Sequence, residues 1–203
     1  KALMERKLPI ELLTILEDWL NISETCVKWG DKISGFFKLL SGVRQGGVLS
    51  PVLFSIFIDI LVYKINASNI GCYMSSVCVS IFLYADDILL LAPSITGLQQ
   101  LVNICESELI SLDMQINTKK SVCIRFGNWY DAKCENIVSL DGGVIAWVKS
   151  CRYLGVFFVS GRLFKCSFDH AKRSLFSSFN SIFGKIGRFA SEEVVSSLIL
   201  KAK

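Results

Sequence analysis

The 203 residues are 52% hydrophobic and 20% charged, enough apolar side chains to bury a core and too many for a disordered chain. The length fits one domain, or one plus a fragment. Mean hydropathy is +0.48, yet the two long uncharged stretches, 65–85 and 88–105, are interrupted by Asn, Ser, Gly, Gln and Pro and do not read as membrane spans. Eight cysteines lie along the chain without a C-x-x-C pair, and His170 is the sole histidine, so no zinc site is expected. Cys78 and Cys123 sit inside apolar runs and read as small buried hydrophobes of an intracellular protein. The net charge of +4 is uneven: residues 1–116 carry 8 Lys/Arg against 12 Asp/Glu, and 117–203 carry 14 against 6. A basic half suits a polyanionic partner, and a solvated helical face explains scattered cations equally well. The chain opens on Lys1 in a helix-like run without a charged-then-apolar leader, so no signal peptide is read and a piece of a longer protein is expected.

Pro9 at an N1-like position, then Leu12, Leu13, Leu16, Trp19 and Leu20 at helical spacing, predict an amphipathic helix ending near Asn21. Two strands, 25–29 and 33–39, flank a Gly30-Asp31 turn, and a glycine-rich loop spans 41–47. Ser50 as N-cap and Pro51 as N1 then start a helix whose run 52–65 is apolar nearly all round apart from Asp59 and Lys64. The runs 77–84 and 88–91 are β-prone and separated by Ala85-Asp86-Asp87, which is hairpin spacing. Pro93 ends the second strand, and Ser94 caps a helix whose inner face is Leu98, Leu101, Val102, Cys105, Leu109 and Leu112. A strand at 121–126, a hairpin turning at Asp141-Gly142-Gly143, a strand at 153–159 and helices at 167–187 and 191–203 complete the reading. Hairpins interleaved with helices predict an α+β fold, with one antiparallel sheet covered on one face. No internal repeat is visible.

The sharpest chemical feature is Asp86-Asp87, two adjacent carboxylates between hydrophobic strands with no Lys or Arg from 65 to 117. Such a pair repels itself, and hard divalent cations with oxygen ligands compensate it, magnesium first. Alone, the pair reads more readily as an Asp-favoured turn. Its context is more specific. Gly42-Val43-Arg44-Gln45-Gly46-Gly47-Val48-Leu49-Ser50-Pro51 precedes Phe82-Leu83-Tyr84-Ala85-Asp86-Asp87, then Asn117-x-x-Lys120-Ser121, then Tyr153-Leu154-Gly155-Val156. This order and spacing resembles the reverse transcriptases of non-LTR (LINE-type) retrotransposons over nearly the whole chain. A group II intron or telomerase type fits the spacing and the Y-L-G-V block less well.

The resemblance implies a polymerase palm at 1–160 and the start of a helical thumb at 161–203. It implies RNA-directed DNA synthesis: nucleotidyl transfer from a dNTP to a DNA primer 3′-hydroxyl on an RNA template, with two Mg2+ ions or Mn2+ in their place. Asp86 matches the principal metal ligand and Asp87 its partner, with Tyr84 and Ala85 completing the hairpin. Arg44, Gln45, Gly46 and Gly47 match the loop that packs against the incoming nucleotide and template. Lys120 matches a lysine that neutralises the triphosphate and protonates pyrophosphate, and Tyr153, Leu154 and Gly155 match the primer grip. Lys172, Arg173, Lys185 and Arg188 match a thumb face toward the nucleic-acid backbone. Asp59 is expected to cap or pair structurally, and His170 has no catalytic partner in sight. Cytoplasmic and nuclear placement follows from the family; no membrane partner is implied.

The family also needs an aspartate on the first palm strand, upstream of the helix with which this chain begins. Asp18 and Asp31 lie at a helix end and a turn and do not replace it, so these 203 residues alone are expected to be inactive. The alternative is a catalytically dead or domesticated remnant that only binds nucleic acid or protein.

Overall fold

The computed structural model describes residues 2–39, 42, 46–186 and 189–201. They form two compact units, Lys1–Ile116 and Asn117–Lys203. In the first, a short helix α1 (Ala2–Glu5) precedes α2 (Ile10–Asn21), which ends at Asn21 as the spacing predicts. Pro9 is its N-cap rather than N1, with φ −55°; the fixed ring angle suits helix entry at either place. Next come four two-residue strands where two longer ones were expected: β1 (Glu24–Thr25), β2 (Lys28–Trp29), β3 (Lys32–Ile33) and β4 (Phe37–Lys38). β2 and β3 pair antiparallel about Gly30-Asp31, and β1 pairs with β4. Ser34 breaks the ladder between them. Its hydroxyl accepts from the Val27 N–H and donates to the Gly35 carbonyl, both at 2.9 Å, so a side chain takes bonds a strand would use.

Helix α3 (Ser50–Ala67) starts one residue earlier than expected, with Leu49 as N-cap and no capping side chain. It is not apolar-buried all round. Ser50, Ile58, Leu61 and Ile65 form the buried stripe, while Val52, Phe57, Ile60 and Tyr63 are exposed, because a helix meets its packing partners along one stripe. By length and composition α3 is long and apolar enough to cross a membrane; a core helix has the same composition.

The run 77–84 divides in two. β5 (Tyr73–Met74) pairs antiparallel with β6 (Val77–Cys78), and β7 (Ile81–Tyr84) with β8 (Asp87–Leu90). The break is at Ser80, which is fully buried with its hydroxyl 3.2 Å from the carbonyls of Ile70 and Cys72. Ser94 caps α4 (Ile95–Ser111) as predicted, accepting from the Gly97 N–H at 3.0 Å. The core joins Ile58, Leu61 and Ile65 of α3 to Leu101, Cys105 and Leu109 of α4, each large aliphatic side chain contributing about 1.5–3 kcal/mol by burial. Ion pairs Lys64–Glu108 and Arg6–Asp59 fasten α3 to α4 and to the segment after α1, giving Asp59 the structural partner expected.

In the second unit β9 (Val122–Cys123) is all that forms of the strand expected at 121–126. β10 (Ile137–Val138) pairs antiparallel with β11 (Val144–Trp147) across the predicted Asp141-Gly142-Gly143 turn, where the Asp141 carboxylate accepts from the Gly143 N–H at 2.8 Å. The single strand expected at 153–159 is instead a hairpin: β12 (Ser150–Tyr153) turns through Leu154-Gly155 into β13 (Val156–Val159), which pairs on with β14 (Lys165–Ser167). Both turn residues have positive φ, 47° and 82°, the sign pattern of a type I′ turn. Helices α5 (Asp169–Ile186) and α6 (Glu192–Lys201) follow. The fold is α+β. One antiparallel sheet does not form among the described residues; strands of two to four residues make six small sheets, and β9 pairs with β11 in parallel. Strands this short have few ladder bonds with which to propagate a wide sheet.

Candidate active site

The β7–β8 hairpin carries the carboxylates. Tyr84 pairs with Asp87, so the turn is Ala85-Asp86 and Asp87 opens the second strand, one residue tighter than the three-residue turn expected. The positive φ of the turn, 52°, falls on Ala85. Ile81, Leu83, Ile88 and Leu90 pack on the α3–α4 core. Strand alternation then sends Phe82, Tyr84, Leu89 and Asp87 to the other face, where Phe82 and Tyr84 are exposed. The apolar strand positions thus anchor the hairpin, and its tip presents Asp86 and Asp87 to solvent.

Two carboxylates are a fit for a magnesium ion, which commonly takes one or two protein carboxylates and fills the rest of its octahedron with water and substrate phosphates. Neither Asp86 nor Asp87 is ion-paired with a described residue, so both keep their oxygens for a ligand. No group of three or more His, Cys, Asp or Glu side chains able to hold a metal occurs among the described residues, so no zinc-type cage stands beside the pair.

Gly46 and Gly47 lie before α3 outside regular structure. Gly46 has φ +83° with open space where a Cβ would stand, so backbone conformation is what demands glycine there. Arg44 and Gln45 lie outside the described residues.

The second unit holds the other candidates. Lys120 is exposed and follows a turn made by Asn117, whose carbonyl and side-chain oxygen accept from the Lys120 N–H at 3.0 and 3.2 Å. Sequence reading treated Asn117 as part of a motif; its positioning bond to the lysine's backbone is a structural finding. An Asn three residues before a Lys was the available signal. Tyr153, Leu154 and Gly155 form the tip of the β12–β13 hairpin. On α5, Lys172, Arg173 and Lys185 are exposed; successive residues turn by about 100°, so these three point in different directions around the helix. Arg173 and His170 line, with Ser174, Ser177 and Ser178, an open groove of about 410 Å³. The His170 ring lies 5.5 Å from that of Phe157, a packing role sequence reading did not find. Arg188 lies outside the described residues. The structure therefore gathers Tyr84, Ala85, Asp86 and Asp87 in one hairpin of the first unit, and places Lys120 and the Tyr153 hairpin in the second.

Residues 2–158 match the family model for reverse transcriptase (RNA-dependent DNA polymerase). Among curated proteins the chain is similar to a retrovirus-related Pol polyprotein from type-1 retrotransposable element R2 of Nasonia vitripennis, 29% identical over 119 residues, 59% of this chain and 12% of that protein. It is also similar to the corresponding R2 polyprotein of Popillia japonica, 40% identical over 63 residues, 30% of this chain and 10% of that protein. The chain thus spans only about a tenth of the length of these relatives. With three quarters of its length matched by one family model, and with paired carboxylates at the tip of a core-anchored hairpin, the chain belongs to the reverse transcriptase family.

Proposed function

We propose that this chain is the palm, at 1–160, and the beginning of the thumb, at 161–203, of an RNA-directed DNA polymerase of a non-LTR retrotransposon. The observation that carries the reading is the Tyr84-Ala85-Asp86-Asp87 hairpin tip, held by apolar strands in a chain of this family. Reverse transcriptases use divalent metal ions; here Asp86 and Asp87 would contribute ligands to two Mg2+, which when bound would activate the primer 3′-hydroxyl and stabilise the leaving pyrophosphate. Asp86 is the principal ligand and Asp87 its partner. Ala85 leaves the turn free of bulk, so that a primer end reaches the carboxylates. By the same reading, Arg44, Gln45, Gly46 and Gly47 are assigned to the nascent base pair and template.

Lys120 neutralises triphosphate charge and hands a proton to the departing pyrophosphate oxygen. Tyr153, Leu154 and Gly155 grip the primer terminus, and the type I′ sign pattern of that hairpin makes the tip tight enough for the role. Lys172, Arg173, Lys185 and Arg188 add sequence-independent attraction to phosphates. RNA template, DNA primer and dNTP are the partners, and an intracellular location belongs to the same proposal. The family match favours this reading over a binding-only remnant.

The test is magnesium-dependent primer extension by the full-length protein carrying this segment. Asp86→Asn removes one ligand charge with little change of shape and should abolish extension while leaving template–primer affinity within about two-fold. Undiminished extension by the variant would overturn the assignment.

A further inference from the structure

Between Lys120 and Tyr153 the chain builds a lobe with no part in the site above. Residues 127–135 are fastened at several points within the second unit. The Gly127 N–H donates to the Gly161 carbonyl at 3.0 Å, beside the Phe126–Gly161 bridge, and Arg162 Nε donates to Asn128 Oδ1 at 3.0 Å. The Arg125 guanidinium lies 5.8 Å over the Trp147 ring and donates to the Ala132 carbonyl, while the Ser160 hydroxyl donates to the Arg125 carbonyl at 2.7 Å. Trp147 Nε1 in turn donates to the Glu135 carbonyl at 3.0 Å.

So fastened, the segment 127–135 still turns its largest apolar side chain to solvent: Trp129 is 77% exposed. Phe164, packed on Phe126 and Phe158 at 5.1 and 5.5 Å, is 66% exposed. The charge carried by the same segments indicates what covers these rings. The lobe and its adjoining strands carry Arg125, Lys133, Lys149, Arg152, Arg162 and Lys165 against Asp131, Glu135 and Asp141, and Arg162 uses only its Nε, its outer N–H groups having no partner among the described residues. An apolar protein partner would account for Trp129 and leave the surplus cations unexplained. Exposed aromatic faces on a fastened segment that also carries cations are the combination that single-stranded nucleic acid uses, bases stacking on the rings while phosphates meet Lys and Arg.

We propose that this lobe is an accessory site for a single-stranded polynucleotide, with a base stacked on Trp129 and the adjoining phosphates neutralised by Arg162 and Lys133. The proposal rests on the polymerase reading for its use, to hold template before it is paired; the physical claim about Trp129 is tested separately.

Fluorescein-labelled oligouridylate and oligothymidylate of about 20 nucleotides, spanning more than one binding footprint, are titrated with the full chain and followed by anisotropy. Trp129→Ala should weaken binding by about 5-fold to 160-fold, the range for loss of one stacked base, and Trp129→Phe should restore most of it. Trp29→Ala, at a still more exposed tryptophan in the first unit, should change nothing. Arg162→Gln should lower the slope of log affinity against log salt by about one. A loss confined to oligouridylate identifies RNA as the occupant; an equal loss with both strands identifies single strands in general. Equal affinity of Trp129→Ala and the unaltered chain, or no binding of either strand by the unaltered chain, overturns the proposal. Primer extension by the full-length protein carrying this segment, on pre-annealed template–primer, runs alongside. Trp129-dependent binding without extension refutes the polymerase reading and keeps the lobe; extension with Trp129-independent binding does the opposite.

Discussion

Gly71→Ala tests whether the site hairpin is set by its base. Gly71 stands at φ +111°, and a methyl there would lie 2.1 Å from Ser80 Oγ, 2.6 Å from Ser80 Cβ and 3.0 Å from the Leu91 carbonyl oxygen. Ser80 cannot easily retreat: it is fully buried, its hydroxyl lies 3.2 Å from two carbonyls, and its own carbonyl accepts from the Leu91 N–H at 2.8 Å. The substitution adds backbone strain of about 1–3 kcal/mol, overpacking of about 1–3 kcal/mol, and loosening of a Ser80 hydrogen bond at about 1 kcal/mol. A total of about 3–5 kcal/mol is expected, since relief of one cost by movement lessens the others. Gly30→Ala is the control. Its φ is +59° with nothing within 4 Å of the added methyl, so it should cost only about 1 kcal/mol. Equilibrium unfolding in urea, with midpoints and slopes compared, separates the two. Because Ser80 leads directly into β7, extension activity of the full-length protein should fall with Gly71→Ala and not with Gly30→Ala. Stabilities of the two variants within about 1 kcal/mol of each other would refute the reasoning, since the Ser80 contact would then carry no measurable cost.

Leu101→Ala empties a fully buried position in the α3–α4 core and should lower stability by about 2–5 kcal/mol, read as a fall in urea midpoint at constant slope. Burial, with Glu106 beside it, pushes the Cys105 thiol up to about 12 from 9.0. The folded value exceeds the unfolded one, so this neutral thiol's contribution is complete below about pH 9 and is lost as pH rises toward 12; Cys105→Val should flatten the alkaline fall in stability. The Gly143 N–H and then the Ser139 side chain hold the Asp141 carboxyl below its ordinary range. Its contribution to the β10–β11 turn is present above the unfolded value near 3.8 and disappears as pH falls through the folded value. An NMR pH titration of the Asp141 carboxyl, with the Gly143 amide as reporter, should show that lowered midpoint, and a midpoint at the ordinary value would contradict it.

The helices were legible because each carries its own signal. Leu101, Val102, Cys105 and Leu109 recur at helical spacing behind a Ser94 cap, and that face is the one buried. The Asp86-Asp87 hairpin was legible to within one residue for a similar reason: a short turn between two apolar runs leaves little freedom. Strand length was not legible. The run 77–84 reads as one strand because every position suits a pleated sheet, and only the buried bonds of Ser80 to Ile70 and Cys72 end it. Tyr153-Leu154-Gly155 reads as strand interior by composition, yet Leu154 turns through a positive φ, which its aromatic and valine neighbours do not announce.

The sequence by itself determined the family, the carboxylate pair, the helical faces and the uneven charge, since each is written in local spacing or residue type. Tertiary structure alone decided which face of α3 is buried, that the strands stay in small separate sheets, and that Trp129 remains in solvent on a fastened lobe. Those outcomes depend on contacts between residues distant in the chain, such as Arg162 with Asn128 or Lys64 with Glu108, and local pattern carries no record of which distant side chain will arrive.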